Sequence, residues 1–183
     1  MIYVFLADGF EEIEALTVVD ILRRVKLDCK TVGVSKKTVR GSHGITVICD
    51  ETDNVIKIDK NVDAIVLPGG MPGTLNLENS KVVRKHIDDA LKNGIYIAAI
   101  CAAPSILGHK GILSGKKATC YPGYELDLVN ARVSSDSVCV DGKIITAKGA
   151  GVSIDFALAI VSELISDERA RNLRASLQCK DMI

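Results

Sequence analysis

The stretch Tyr96–Leu107, YIAAICAAPSIL, puts a thiol where one apolar run stops and another begins with a different rhythm. Residues 95–100 read as a buried strand, and Pro104 suits the first position of a helix. Cys101 therefore falls at a strand-to-helix turn. Ala99 and Ala103 stand two places before and after it, as small residues do in a nucleophile elbow, where larger side chains collide. The positive end of the following helix predicts a lowered thiol pKa and a reactive thiolate. A single cysteine is more often a small buried hydrophobe. The flanking residues favour the functional reading here.

A carboxylate is the second candidate. Residues 11–25, EEIEALTVVDILRRV, have helical spacing, with Val18, Ile21, Leu22 and Val25 as the apolar stripe. Glu14 falls on that stripe, Glu11 lies near it and Glu12 well off it. An inward acid near a helix start either complements the helix dipole or serves chemistry. The spacing leaves Glu11 and Glu14 both open. A buried carboxyl tends to keep its proton, which it can donate to a sulfur or shuttle. The third candidate is LPGGMPG, residues 67–73, whose glycines let backbone approach a ligand and present an oxyanion donor. It has no G-K-[ST], so it is not a nucleotide phosphate loop.

These residues need a scaffold. Residues 2–7, 29–34, 63–70 and 95–100 read as strands. Residues 80–94 read as a helix stopped at Gly94, with a short helix from Pro104 and helices at 152–165 and 167–177. GITVICDET and VIKID read as a strand pair or hairpin, KKATCYP as a strand, and SVCVDGKIITA as a hairpin turning at Asp141-Gly142. Alternating strands and helices, with uninterrupted apolar strands, predict one domain over 1–183. Its fold class is α/β: a three-layer α/β/α sandwich with a doubly wound, mainly parallel sheet, flavodoxin-like. Sites in such folds lie beyond the carboxyl ends of the strands. If the first strand and those ending at Leu67 and Ile100 are neighbours, a carboxylate, a glycine turn and a thiol meet in one crevice.

Composition narrows the function. Lys plus Arg equal Asp plus Glu at 23 each, which gives no electrostatic footprint for nucleic acid or an anionic membrane. The first residues read as a strand rather than a signal peptide, and no apolar run is long enough to span a bilayer, so a cytoplasmic protein is expected. The six cysteines form no C-x-x-C pair and the three histidines are scattered, so no metal site is read. His86 reads as solvated and His43 as a loop residue. Cys120 invites the idea of a resolving thiol, but if Tyr121 faces the site its strand neighbour faces away.

Taken together, VFLADGFEEIEALTVVDILRR, DAIVLPGG, IAAICAAPSIL and GVSIDFALAIV resemble, in order and over essentially the whole chain, the ThiJ/PfpI superfamily, especially its DJ-one branch of parkinsonism-associated deglycases. The resemblance implies that Cys101 is the oxidation-prone nucleophile, that Glu14 is the acid bonded to its sulfur, and that the Gly70 and Ala102 N–H groups line the anion pocket. It implies a homodimer with the first helix at its interface, and no cofactor. This sequence has Tyr121 where the branch often has a histidine before Pro122. Tyrosine can donate a hydrogen bond but, with an ordinary pKa of about 10, is a poor base. Ala102, where peptidase and amidotransferase relatives tend to carry histidine or glycine, argues against a cysteine peptidase. The expected function is cysteine-dependent glyoxalase or deglycase chemistry on a small dicarbonyl or its protein or nucleotide adducts. The alternative is an oxidative-stress sensor or chaperone with a peroxide-oxidisable Cys101.

Overall fold

A computed structural model describes residues 1–179 of the chain. In chain order the elements are β1 (Ile2–Leu6), α1 (Glu12–Arg24), β2 (Cys29–Gly33), β3 (Thr38–Arg40), β4 (Thr46–Ile48), β5 (Glu51–Thr52), β6 (Ala64–Leu67), α2 (Gly73–Asn79), α3 (Lys81–Lys92), β7 (Tyr96–Ile100), α4 (Pro104–His109), β8 (Lys117–Ala118), β9 (Arg132–Val133), β10 (Val138–Asp141), β11 (Ile144–Ala147), α5 (Ser153–Leu164) and α6 (Asp167–Ser176). Seven strands form one sheet in the order β10-β11-β7-β6-β1-β2-β5. Every pairing in it is parallel except β10 with β11, the hairpin expected at Asp141-Gly142.

Alternation sends successive strand residues to opposite faces, and both faces are covered. One core joins Ile2, Val4, Leu6, Ala98 and Ile100 to Val18 and Leu22 of α1 and to Phe156, Ile160 and Val161 of α5. The other joins Phe5, Ile65, Leu67, Ile97 and Ala99 to Val83 and Ile87 of α3 and to Ile106 and Leu107 of α4. Two faces of buried strand explain why β6 reads as an uninterrupted apolar run; all four of its residues are buried. This is the α/β sandwich the sequence predicts.

Local chemistry sets the helix ends. Glu11 caps α1 by accepting the Glu14 N–H at 2.7 Å. Ser80 caps α3 by accepting the Val83 N–H at 3.2 Å, and Gly94 follows that helix at a φ of 66°.

Three segments depart from the sequence reading. Residues 55–59 form no strand; β4 pairs with β3 instead, and β5 adds only two residues to the sheet edge. The predicted strand at 116–122 shrinks to β8, paired with β9. Helix α2, unpredicted, starts within the glycine- and proline-rich turn and buries Thr74 and Leu77.

β1 lies inside the sheet next to its central strand β6, with β2 on its other side and β7 beyond β6. The chain therefore winds outward in opposite directions from β1, and the crevice at the carboxyl ends of β1, β6 and β7 is the topological switch point. The contingency drawn from the sequence holds: those three strands are consecutive neighbours.

Candidate active site

Cys101 follows directly on β7 and takes a φ of 65°, a left-handed conformation that costs a non-glycine residue roughly 1–2 kcal/mol. Hydrogen bonds on both sides hold it there. Its N–H donates to the Ala147 carbonyl at 2.9 Å, and its own carbonyl accepts the Tyr121 N–H at 2.8 Å. Ala99 and Ala103 are fully buried on either side of the turn. The thiol itself is half-buried.

Glu14 meets it from α1. The side chain is only 1% exposed, and its Oε2 accepts the Gly69 N–H at 2.8 Å. Its Oε1 is buried with no full hydrogen bond. The carboxyl lies against the Cys101 thiol and interacts with it directly. Burial pushes the Glu14 carboxyl up from its ordinary 4.5 to about 7, against the thiol and the Gly69 N–H, which favour the charged form. The choice between Glu11 and Glu14 is thus made by geometry. Glu11 is spent on the helix cap, and Glu14 faces the sulfur.

The glycine turn fits between them. A methyl at Gly69 would stand 2.6 Å from Cys101 Cβ and 2.7 Å from Glu14 Oε2, so only glycine permits this approach. Gly70, at a φ of 89°, brings its N–H to the sulfur, and Ala102 brings another. In the sequence Gly69 stands only as part of the glycine turn. Its role as the partner of Glu14 and the closest neighbour of the thiol has no signal beyond a doubled glycine.

One expectation is overturned. The thiol is not activated at rest by the helix that follows. Burial first, then the Glu14 carboxylate, push Cys101 up to about 12, and the Ala102 and Gly70 N–H groups only offset this in part. The physical reason lies in α4, which is six residues long, and in a thiol set against an acid rather than against water. The resting pair therefore gives up a first proton near pH 7 and keeps the second far above neutrality.

Tyr121 is half-exposed at the mouth of the site. Its ring packs beside Gly149, where a methyl would lie 3.2 Å from Tyr121 Cδ2 and 3.8 Å from Glu14 Oε1. Among the described residues its hydroxyl joins neither the thiol nor Glu14. Cys120 is buried in the opposite core and free, like the five other cysteines.

One acid and one histidine lie elsewhere than the sequence suggests. Glu12, off the α1 stripe, is nevertheless buried, because the β3–β4 connection folds over it. It accepts N–H bonds from His43 at 2.8 Å and Ile45 at 3.3 Å, and its Oε2 lies 3.0 Å from His43 Nδ1. Glu11, Glu12 and His43 bring ligand-type atoms within 4.8 Å of one another, but the Glu12 oxygens are already engaged by that connection. His86 is buried, not solvated: its Nε2 lies 2.8 Å from the Asp53 carbonyl and its ring packs on Phe5.

A half-buried thiol on an elbow, a buried acid at its sulfur and two converging N–H groups make a cysteine centre of the kind built at the switch point of an α/β sandwich. The chain belongs to the DJ-1/PfpI family, whose family model matches residues 1–163. It is 35% identical to protein dj-1beta of Drosophila melanogaster over 95% of this chain and 94% of that one. The crystal structure of Drosophila DJ-1beta superposes with a TM-score of 0.91 at 32% identity, covering 98% of each chain. It is 38% identical to protein DJ-1 homolog B of Arabidopsis thaliana over 90% of this chain, which spans only 38% of that longer protein. It is also 32% identical, over 89% of this chain and 87% of the other, to the glutathione-independent glyoxalase DJR-1.2 of Caenorhabditis elegans.

Proposed function

We propose that the protein is a cofactor-independent, cysteine-dependent glyoxalase or deglycase acting on small dicarbonyls or their adducts. The observation that carries this reading is the buried Glu14 carboxyl, poised near neutral pH against the Cys101 sulfur. A base whose pKa lies near the working pH is best placed to take and return a proton. The glyoxalase named among the relatives supports the same class of reaction.

For methylglyoxal the steps balance without a redox partner. The Cys101 sulfur bonds to the aldehyde carbon while its S–H proton passes to Glu14. The carbonyl oxygen gains charge facing the Gly70 and Ala102 N–H groups and takes that proton, giving a hemithioacetal. Glu14, again a carboxylate, removes the proton on the former aldehyde carbon and delivers it to the neighbouring carbonyl carbon, while the hemithioacetal hydroxyl gives its proton to the oxygen of that neighbouring carbon. The first carbon is oxidised and the second reduced, leaving a thioester of lactate. Water cleaves it to lactate and restores the thiol. Lactate formation by the parent, lost in Cys101→Ser and reduced severalfold or more in Glu14→Gln, is the expected result. A Cys101→Ser variant as active as the parent would end this reading.

A second reading rests on the same N–H groups. They and a protonated Glu14 would also hold the oxygens of a sulfinate formed by peroxide at Cys101, making the protein a stress sensor. Intact mass after graded peroxide separates the two: selective gain of two oxygens at Cys101 without dicarbonyl turnover favours the sensor.

A further inference from the structure

Glu11, Glu12 and His43 meet where the β3–β4 connection folds over the start of α1. One ligand-type atom from each lies within 4.8 Å of the other two. His43 Nδ1 stands 3.0 Å from Glu12 Oε2 and 3.8 Å from Glu11 Oε1. Atoms bound at about 2.0–2.2 Å around one tetrahedral zinc ion stand roughly 3–4 Å apart, so the three nearly span one coordination sphere.

Hydrogen bonding leaves part of this arrangement unanswered. Glu12 Oε1 is engaged by the His43 and Ile45 N–H groups, but Oε2 meets only the Ser42 hydroxyl at 3.2 Å and His43 Nδ1. Glu11 Oε2 accepts the Glu14 N–H, while its Oε1 accepts no hydrogen bond among the described residues, although the side chain is only 13% exposed. A proton on Nδ1 satisfies Glu12 and leaves Glu11 Oε1 unpaired. A cation between them answers both. Charge favours it too. Glu14 follows in the same turn, and among the described residues no lysine or arginine pairs with Glu11 or Glu12.

The donors are held in place. The Ser42 N–H donates to the Phe10 carbonyl at 2.8 Å, and a methyl at Gly41 would stand 2.3 Å from Glu12 Oε1, so glycine lets the connection close on that carboxylate. The His43 and Ile45 N–H groups orient Glu12 as outer partners orient metal ligands. The His43 side chain is 71% exposed, which leaves the outer side open to water.

We propose that Glu11, Glu12 and His43 form a site for a divalent ion of the zinc class, with water completing the sphere. One imidazole and two carboxylates without sulfur suit zinc; the nitrogen disfavours magnesium and calcium, and the lack of thiolate disfavours copper(I). The ion takes the place of the Nδ1 proton, which leaves to solvent. Glu14 turns from the same helical turn to Cys101, so the site is separate from the thiol and does not depend on the reaction proposed above.

The test titrates Zn²⁺ into the reduced full chain by calorimetry. Parent and Cys101→Ser should bind one ion with equal affinity. His43→Ala should weaken binding by more than about tenfold, the least that loss of an outer partner costs. It keeps the backbone N–H that holds Glu12, and its urea midpoint checks the fold. Glu11→Gln, which keeps an oxygen for the helix cap, should weaken binding in the same way and carries the test if His43→Ala does not fold. Co²⁺ supplies a second readout: d–d bands lost in His43→Ala, with no sulfur-to-metal charge-transfer band. A parent that binds no Zn²⁺, binding unchanged in both variants, or a charge-transfer band that vanishes in Cys101→Ser would overturn the site.

Discussion

Glu14 makes a claim about folding that can be measured apart from catalysis. Its carboxyl moves from 4.5 to about 7 on folding, chiefly because it leaves water. That difference is worth about 3 kcal/mol. The sign follows from which state binds the proton more tightly. The folded protein does, so Glu14 contributes stability that is fully present below pH 4.5 and is lost as pH rises through about 7. Glu14→Gln removes the titration while its amide oxygen keeps an acceptor for the Gly69 N–H. Urea unfolding of parent and variant from pH 4.5 to 8, under reducing conditions and at one protein concentration, isolates the effect in the difference between them. Asp50 and Glu12, whose carboxyls are held below their ordinary values, titrate in both proteins and cancel. Cys101 stays protonated in both states across this window, since its ordinary value is 9.0 and folding raises it. The variant should gain on the parent by about 3 kcal/mol between the ends of the range. A difference that stays flat, or that moves in the parent's favour as pH rises, would show that Glu14 is ionised and satisfied in the fold, and the proton relay would go with it.

Other perturbations test the neighbouring contacts. Gly69→Ala should destabilise by about 1–3 kcal/mol and abolish turnover, because its methyl must displace Cys101 or Glu14; the urea midpoint and lactate assay read both. Glu12→Ala should cost about 1–3 kcal/mol by stranding the His43 and Ile45 N–H groups, with faster amide exchange across β3 and β4, whereas Glu11→Ala, losing one cap, should cost about 1 kcal/mol. His109, between Glu78 at 2.6 Å and Asp127 at 3.3 Å, is raised above its ordinary 6.5 mainly by its bond to Glu78. It lends stability in full below pH 6.5 that fades as pH passes its folded value, so the stability difference between parent and His109→Gln should shrink toward alkaline pH.

What the sequence makes legible divides along a physical line. β1, β6 and β7 are covered on both faces, so burial is written into their composition as continuous apolar runs. The elbow is legible because its steric demand falls on near neighbours, Ala99 and Ala103. Electrostatics is another matter. The thiol's ionisation depends on Glu14, 87 residues away in sequence, and on how much water the fold leaves at the sulfur, and neither is a local property. Burial of Glu12 and of His86 escapes for the same reason: the cover comes from the β3–β4 connection in one case and from Asp53 and Phe5 in the other. Strand reading fails at 55–59 and 119–122, where alternation of types occurs without a partner strand to bond to.

The thiol's raised pKa changes what kind of nucleophile this is. A free thiolate would react with any electrophile that reached it. In the proposed reaction the sulfur's proton is released only into Glu14, so bond formation must return a proton to something the substrate itself makes basic. A carbonyl does this, because addition turns its oxygen into an alkoxide facing the Gly70 and Ala102 N–H groups. Two local features oppose folding at this one place: a carboxyl held out of water and a cysteine held at a positive φ. An apolar residue in place of Glu14 would avoid the first cost, and glycine in place of Cys101 the second. A cysteine at a positive φ against a carboxyl displaced toward neutrality supports the proposal that this crevice is shaped for chemistry rather than for stability.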